Sequence, residues 1–97
     1  MTHKTKVAAA ILTATTLLGA PAAFADITLG AVIPLSGSNA TPGEDQRRGI
    51  EIAVKEINDA GGILGEPLKV IIEDSAGKPQ TAIDAARKLV TVDKVNV

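Results

Sequence analysis

Two short apolar runs, Ile27–Ile33 and Leu68–Glu73, constrain this 97-residue chain more than any other feature. In each run the apolar side chains are nearly continuous instead of alternating, and β-branched residues are frequent. Such a strand hides both faces, as strands do in a parallel sheet with helices on either side. Parallel neighbours need a crossover of about a dozen residues or more, usually a helix.

The segment between the runs supplies that helix. Thr41-Pro42-Gly43-Glu44 predicts its start, with Thr41 as the cap, Pro42 in the first helical position and Glu44 completing a capping box. Ile50, Ala53, Val54 and Ile57 then fall at helical spacing and form one stripe, with Ile52 pointing away from it. Gly61-Gly62 ends the helix, because glycine accepts the left-handed conformation found there. A second helix is predicted from about Pro79 to Val92, with Ala82, Ile83, Ala86, Leu89 and Val90 as its stripe. Val95-Asn96-Val97 reads as the start of a third strand. The order is βαβαβ, which predicts an α/β fold with a parallel sheet and right-handed connections.

Residues 1–25 stand apart from this pattern. A basic start containing Lys4 and Lys6 precedes the uncharged, largely apolar run Val7–Ala20, and Ala23-Phe24-Ala25 gives a small-x-small pattern before Asp26. These are the parts of a secretory signal in order, predicting cleavage after Ala25. The apolar run has 14 residues, about 21 Å of helix, and is too short for a hydrocarbon core of roughly 30 Å. Asp26, not cysteine, follows the cleavage point, so a lipoprotein is not expected and the predicted location is the periplasm.

Residues 26–97 contain no His, Cys, Trp, Tyr, Phe or Met. Without Lys4 and Lys6 they carry 8 basic and 11 acidic residues, a net charge of −3. The basic patch and aromatic platform of a nucleic-acid binder are therefore missing. Ser36, Ser38 and Ser75 have no histidine to activate them, and no His/Cys ligand set for zinc exists, so neither catalysis nor a metal or cofactor is expected.

In open parallel sheets ligands bind beyond the carboxyl ends of the strands. That singles out the loops 34–41 and 74–78. The first offers Ser36, Gly37, Ser38 and Asn39 together with the N–H groups opening the first helix, a setting that would suit a carboxylate, although these residue types are more often ordinary turn chemistry. Glu73 and Asp74 point to opposite faces and cannot readily share a substrate, so they read as a solvated strand end. Arg47-Arg48 reads as solvated surface paired with Glu44 and Glu51.

The stretch Ile27-Thr28-Leu29-Gly30-Ala31-Val32-Ile33-Pro34-Leu35-Ser36-Gly37 resembles the opening strand and turn of the leucine/isoleucine/valine-binding protein family. Gly49 to Gly65, with its Glu-Ile-Asn…Gly-Gly-Ile…Gly ending, is similar to the family's first helix. Leu68–Ser75 and Pro79–Val90 are similar to its second strand and helix. The resemblance implies the N-terminal part, residues 26–97, of the first lobe of a two-lobed type I periplasmic binding protein, the solute-binding subunit of an ABC importer working with an inner-membrane permease. Its ligand would be a branched-chain amino acid or a related small amino acid or amide. The family's main first-lobe contacts lie on loops after the third and fourth strands, beyond Val97. Within this chain the candidate ligand residues are Ser36 and Pro42, the latter aligned with a position where the family often has an aromatic ring. Lys78 replaces a usual acidic helix cap.

Two other readings remain open. One is a truncated product that does not bind. The other is a fragment of a secreted flavodoxin-like α/β enzyme, against which stand the leader and the missing phosphate loop. A sheet this small is also expected to leave a long apolar edge unpaired, which invites self-association.

Overall fold

A computed structural model describes residues 26–97. The expected leader, with its cleavage point after Ala25, lies outside the described residues. The elements run β1 (Ile27–Ile33), α1 (Ala40–Asp59), β2 (Leu68–Asp74) and α2 (Pro79–Thr91). β1 and β2 pair in parallel from Ile27 opposite Leu68 to Ile33 opposite Asp74. Among the described residues no helix is long and apolar enough to cross a membrane.

The expected third strand is present only as an extended tail. Asn96 donates its N–H to the Thr28 carbonyl at 2.7 Å, and Val97 accepts from the Gly30 N–H at 2.8 Å. The Asn96 side chain accepts from the Thr28 N–H at 2.8 Å. These bonds run in the same direction along both segments, so the tail lies parallel to the edge of β1 opposite β2.

The helices cover opposite faces of the sheet, as near-continuous apolar strands require. Ile50, Ala53, Val54 and Ile57 of α1 gather over Leu29, Ala31, Leu68 and Val70. On the other face Leu89 of α2 comes so close to Gly30 that a Cβ there would lie 2.9 Å from its Cδ1. Ile52 is 60% exposed, as its position off the stripe predicts.

Three sequence expectations need correction. Helix α1 begins at Ala40, capped by Asn39 without a side-chain bond, so Thr41 is inside the helix and makes no capping box. The Gly37 carbonyl turns the chain first, accepting the Ala40 N–H at 3.2 Å. Pro42 is then the third helical residue, where a missing N–H costs no intrahelical bond. Strand β2 extends one residue further, to Asp74, because the chain keeps pairing with Ile33.

The α2 stripe is also rotated. Ala85 and Leu89 are buried, while Ile83 and Val90 stand 51% and 65% exposed. Gly30, which has no side chain, lets Leu89 come close to the strand, and the small Ala85 is buried one turn before it on the same face of α2. As the non-acidic Lys78 implies, α2 has no side-chain cap, and Pro79 occupies its first turn.

Candidate functional site

The two carboxyl-end loops meet, and one carboxylate holds them. Asp74, the last residue of β2, accepts the Ser36 hydroxyl on Oδ2 at 2.6 Å. Its Oδ1 accepts the N–H of Leu35 at 2.7 Å and of Ala76 at 2.7 Å. The bond to Ala76 is an Asx turn, the local geometry that Asp favours at the start of a loop. These hydrogen bonds, that of Ser36 foremost and then those of Leu35 and Ala76, hold the Asp74 carboxyl below its ordinary pKa.

The second loop repeats the device one residue on. Ser75 is buried, and its Oγ accepts the Gly77 N–H at 3.2 Å. The Ser75 N–H reaches the Ile33 carbonyl at 2.9 Å, tying this loop to the end of β1. Gly37 lies against it too, since a Cβ there would be 2.9 Å from the Ala76 carbonyl oxygen. The loops therefore form one corner.

The first helix is seated on the same corner by Gly43. A Cβ at that position would fall 1.5 Å from the Pro34 carbonyl oxygen, so only glycine lets α1 start this close to the end of β1.

This arrangement changes the chemistry expected of the first loop. The Ser36 hydroxyl hydrogen and the Leu35 N–H already serve Asp74. Ala40 spends its N–H on Gly37, and Pro42 has none. An internal carboxylate takes two of the donors at the start of this loop. Asp74 is thus not merely a solvated strand end, and an aspartate at a strand terminus followed by Ser-Ala-Gly was the sequence signal for it.

Ser36 and Pro42 are both exposed, but none of the loop-joining bonds involves Pro42. Glu73 points to the other face, where Lys88 reaches it at 3.5 Å, so the two carboxylates do not share a site. Arg47 binds both Glu44 and Glu51 at 2.6 Å, as helical spacing predicts, whereas Arg48 pairs with Asp45 at 2.8 Å. Beside Arg47, a groove of about 470 Å³ runs between α1 and the outer side of β2, floored by Ile50, Val54, Val70 and Ile72.

The family model for periplasmic binding proteins matches residues 26–97, the whole described segment. The chain belongs to the periplasmic binding protein family. Among the relatives of this family member, the Leu/Ile/Val-binding protein BraC3 of Rhizobium johnstonii is 43% identical over 90 residues, covering 93% of this chain and 24% of the relative. The branched-chain amino acid transporter substrate-binding protein LivJ of Streptococcus pneumoniae, solved in complex with isoleucine, superposes with a TM-score of 0.71 at 37% identity. That superposition covers 73% of this chain and 20% of LivJ. A solute-binding protein of Rhodopseudomonas palustris in complex with 3,4-dihydroxybenzoic acid gives a TM-score of 0.66 at 28% identity, over 74% of this chain and 19% of the other. The chain thus spans about a quarter or less of the length of these periplasmic binding proteins.

Proposed function

We propose that this chain is the N-terminal part of the first lobe of an extracytoplasmic solute-binding subunit of an ABC importer. Its ligand is a branched-chain amino acid or a related small amino acid or amide. The observation that carries this reading is the family match running unbroken from Asp26 to Val97, over a fold that superposes on a branched-chain amino acid binder. The match begins at the residue that follows the leader-like segment, which supports export to the periplasm and a role beside an inner-membrane permease.

Residues 26–97 act as scaffold more than as ligand cradle in this reading. Ser36 and Pro42 contribute at the margin of the cleft, and the principal contacts come from elsewhere in the protein. The latch by which Asp74 takes the Ser36 hydroxyl hydrogen and the Leu35 N–H supports that division. With no histidine or cysteine in residues 26–97, binding fits this segment better than bond-making.

Equilibrium dialysis of periplasmic extracts from cells expressing the gene, against radiolabelled leucine, isoleucine and valine, tests the reading. Saturable retention above that of a vector control is the expected result. No retention of any small amino acid or amide would favour the non-binding product instead.

A further inference from the structure

We propose that two copies of this chain join edge to edge through β2, antiparallel about Ile71, into one continuous sheet. The edge is the first observation. The tail bonds one side of β1 at Thr28 and Gly30 and β2 lies on the other side, so among the described residues the outer side of β2 is an open edge. Successive residues of a strand turn their N–H and C=O groups to alternate sides. The Pro67 carbonyl and the Ser75 N–H both face β1, where they bond Ile27 and Ile33, so Lys69, Ile71 and Glu73 face β1 as well. Leu68, Val70 and Ile72 face outward. The Asn58 side chain satisfies Leu68, donating to its carbonyl at 2.8 Å and accepting its N–H at 2.7 Å. Val70 and Ile72 are left as the pairing stretch, with β-branched side chains and no proline.

The second observation fixes the occupant. Pairing Val70 with the partner's Ile72, and Ile72 with the partner's Val70, uses the outward groups of both copies. It sets Ile71 opposite itself and Lys69 opposite the partner's Glu73, twice by symmetry. Lys69 is exposed and makes no ion pair among the described residues, and Glu73 has only the 3.5 Å approach of Lys88. A slip of two residues either way would put Lys69 against Ile71 or Ser75, so one register matches charge with charge. The groove floored by Ile50, Val54, Val70 and Ile72 lies along the same edge, and in the joined sheet the two grooves abut and lose their opening to water. The contact is isologous, the same stretch of each copy meeting itself across a two-fold axis.

Sedimentation velocity on the exported, purified chain across a concentration series tests the proposal. A monomer–dimer equilibrium is expected for the unaltered chain. Lys69→Glu and Glu73→Lys should each weaken it by about tenfold, because each places like charges opposite one another twice. The double reversal Lys69→Glu/Glu73→Lys should restore it, which a variant that had merely misfolded would not do. The chain has no cysteine, so Ile71→Cys offers an independent readout. At a non-hydrogen-bonded antiparallel pair the Cα atoms lie about 4.5 Å apart, within disulfide range, and mild oxidation should give a covalent dimer. A chain that stays monomeric at millimolar concentration, assemblies that ignore the charge reversals, or an Ile71→Cys chain that does not cross-link would overturn the proposal.

Discussion

Asp74 accepts the Ser36 hydroxyl at 2.6 Å and so joins the loop after β1 to the loop after β2. Its depressed pKa gives this latch a pH signature. A carboxyl whose folded pKa lies below its unfolded value of about 3.9 adds stability above that value and loses it as pH falls through the lower one. The urea midpoint of the chain should hold from neutral pH down to about pH 4 and drop below it. Asp74→Asn should lower the midpoint at neutral pH and flatten the acid drop. An unchanged acid limb in that variant would remove Asp74 from the account.

Gly43 seats the first helix against the end of β1. Gly43→Ala would drive a methyl group into the Pro34 carbonyl, a backbone atom that cannot swing aside. The expected loss is about 3 kcal/mol or more, with the largest amide shifts at Leu35, Ser36 and the non-proline residues of Ala40–Glu44. Denaturant titration with an NMR comparison checks both.

On the opposite face Gly30 makes room for Leu89, which is only 4% exposed. Gly30→Ala should cost about 1–3 kcal/mol by overpacking, and Leu89→Ala about 2–5 kcal/mol by leaving a cavity. The two losses should not add, because the methyl at position 30 partly fills the space vacated by Leu89. Strict additivity in the double variant would mean that the two residues do not touch.

Asn58 stands in for a missing strand partner at Leu68. Asn58→Ala leaves a buried residue's N–H and C=O without their partner, a cost of about 1–3 kcal/mol. The Leu68 amide should be protected from hydrogen exchange in the unaltered chain and exchange much faster in the variant.

Both strands, both helices and their parallel arrangement were legible in the sequence because near-continuous apolar runs and a 3.6-residue stripe are strong, local signals. The Ile50–Ile57 stripe faces the sheet as its spacing predicts. What the sequence did not reveal depends on close approach between distant residues. The inward face of α2 carries Ala85 and Leu89, the latter close against Gly30, and not the bulkier Ile83 and Val90. Thr41 looked like a cap because Pro42 and Glu44 follow it, yet the turn closed by Gly37 starts the helix earlier, and Glu44 binds Arg47 instead. The role of Asp74 was hidden because its partner Ser36 lies 38 residues away in the chain.

The proposed function is uptake of a branched-chain amino acid or a related small amino acid or amide, with leucine, isoleucine and valine the first candidates. Initial-rate uptake of radiolabelled leucine, isoleucine and valine by cells with the gene intact, deleted and restored in trans tests it most directly. The account predicts that deletion lowers uptake of at least one of the three and that restoration recovers it. Uptake of all three at the intact rate in the deleted cells would contradict it.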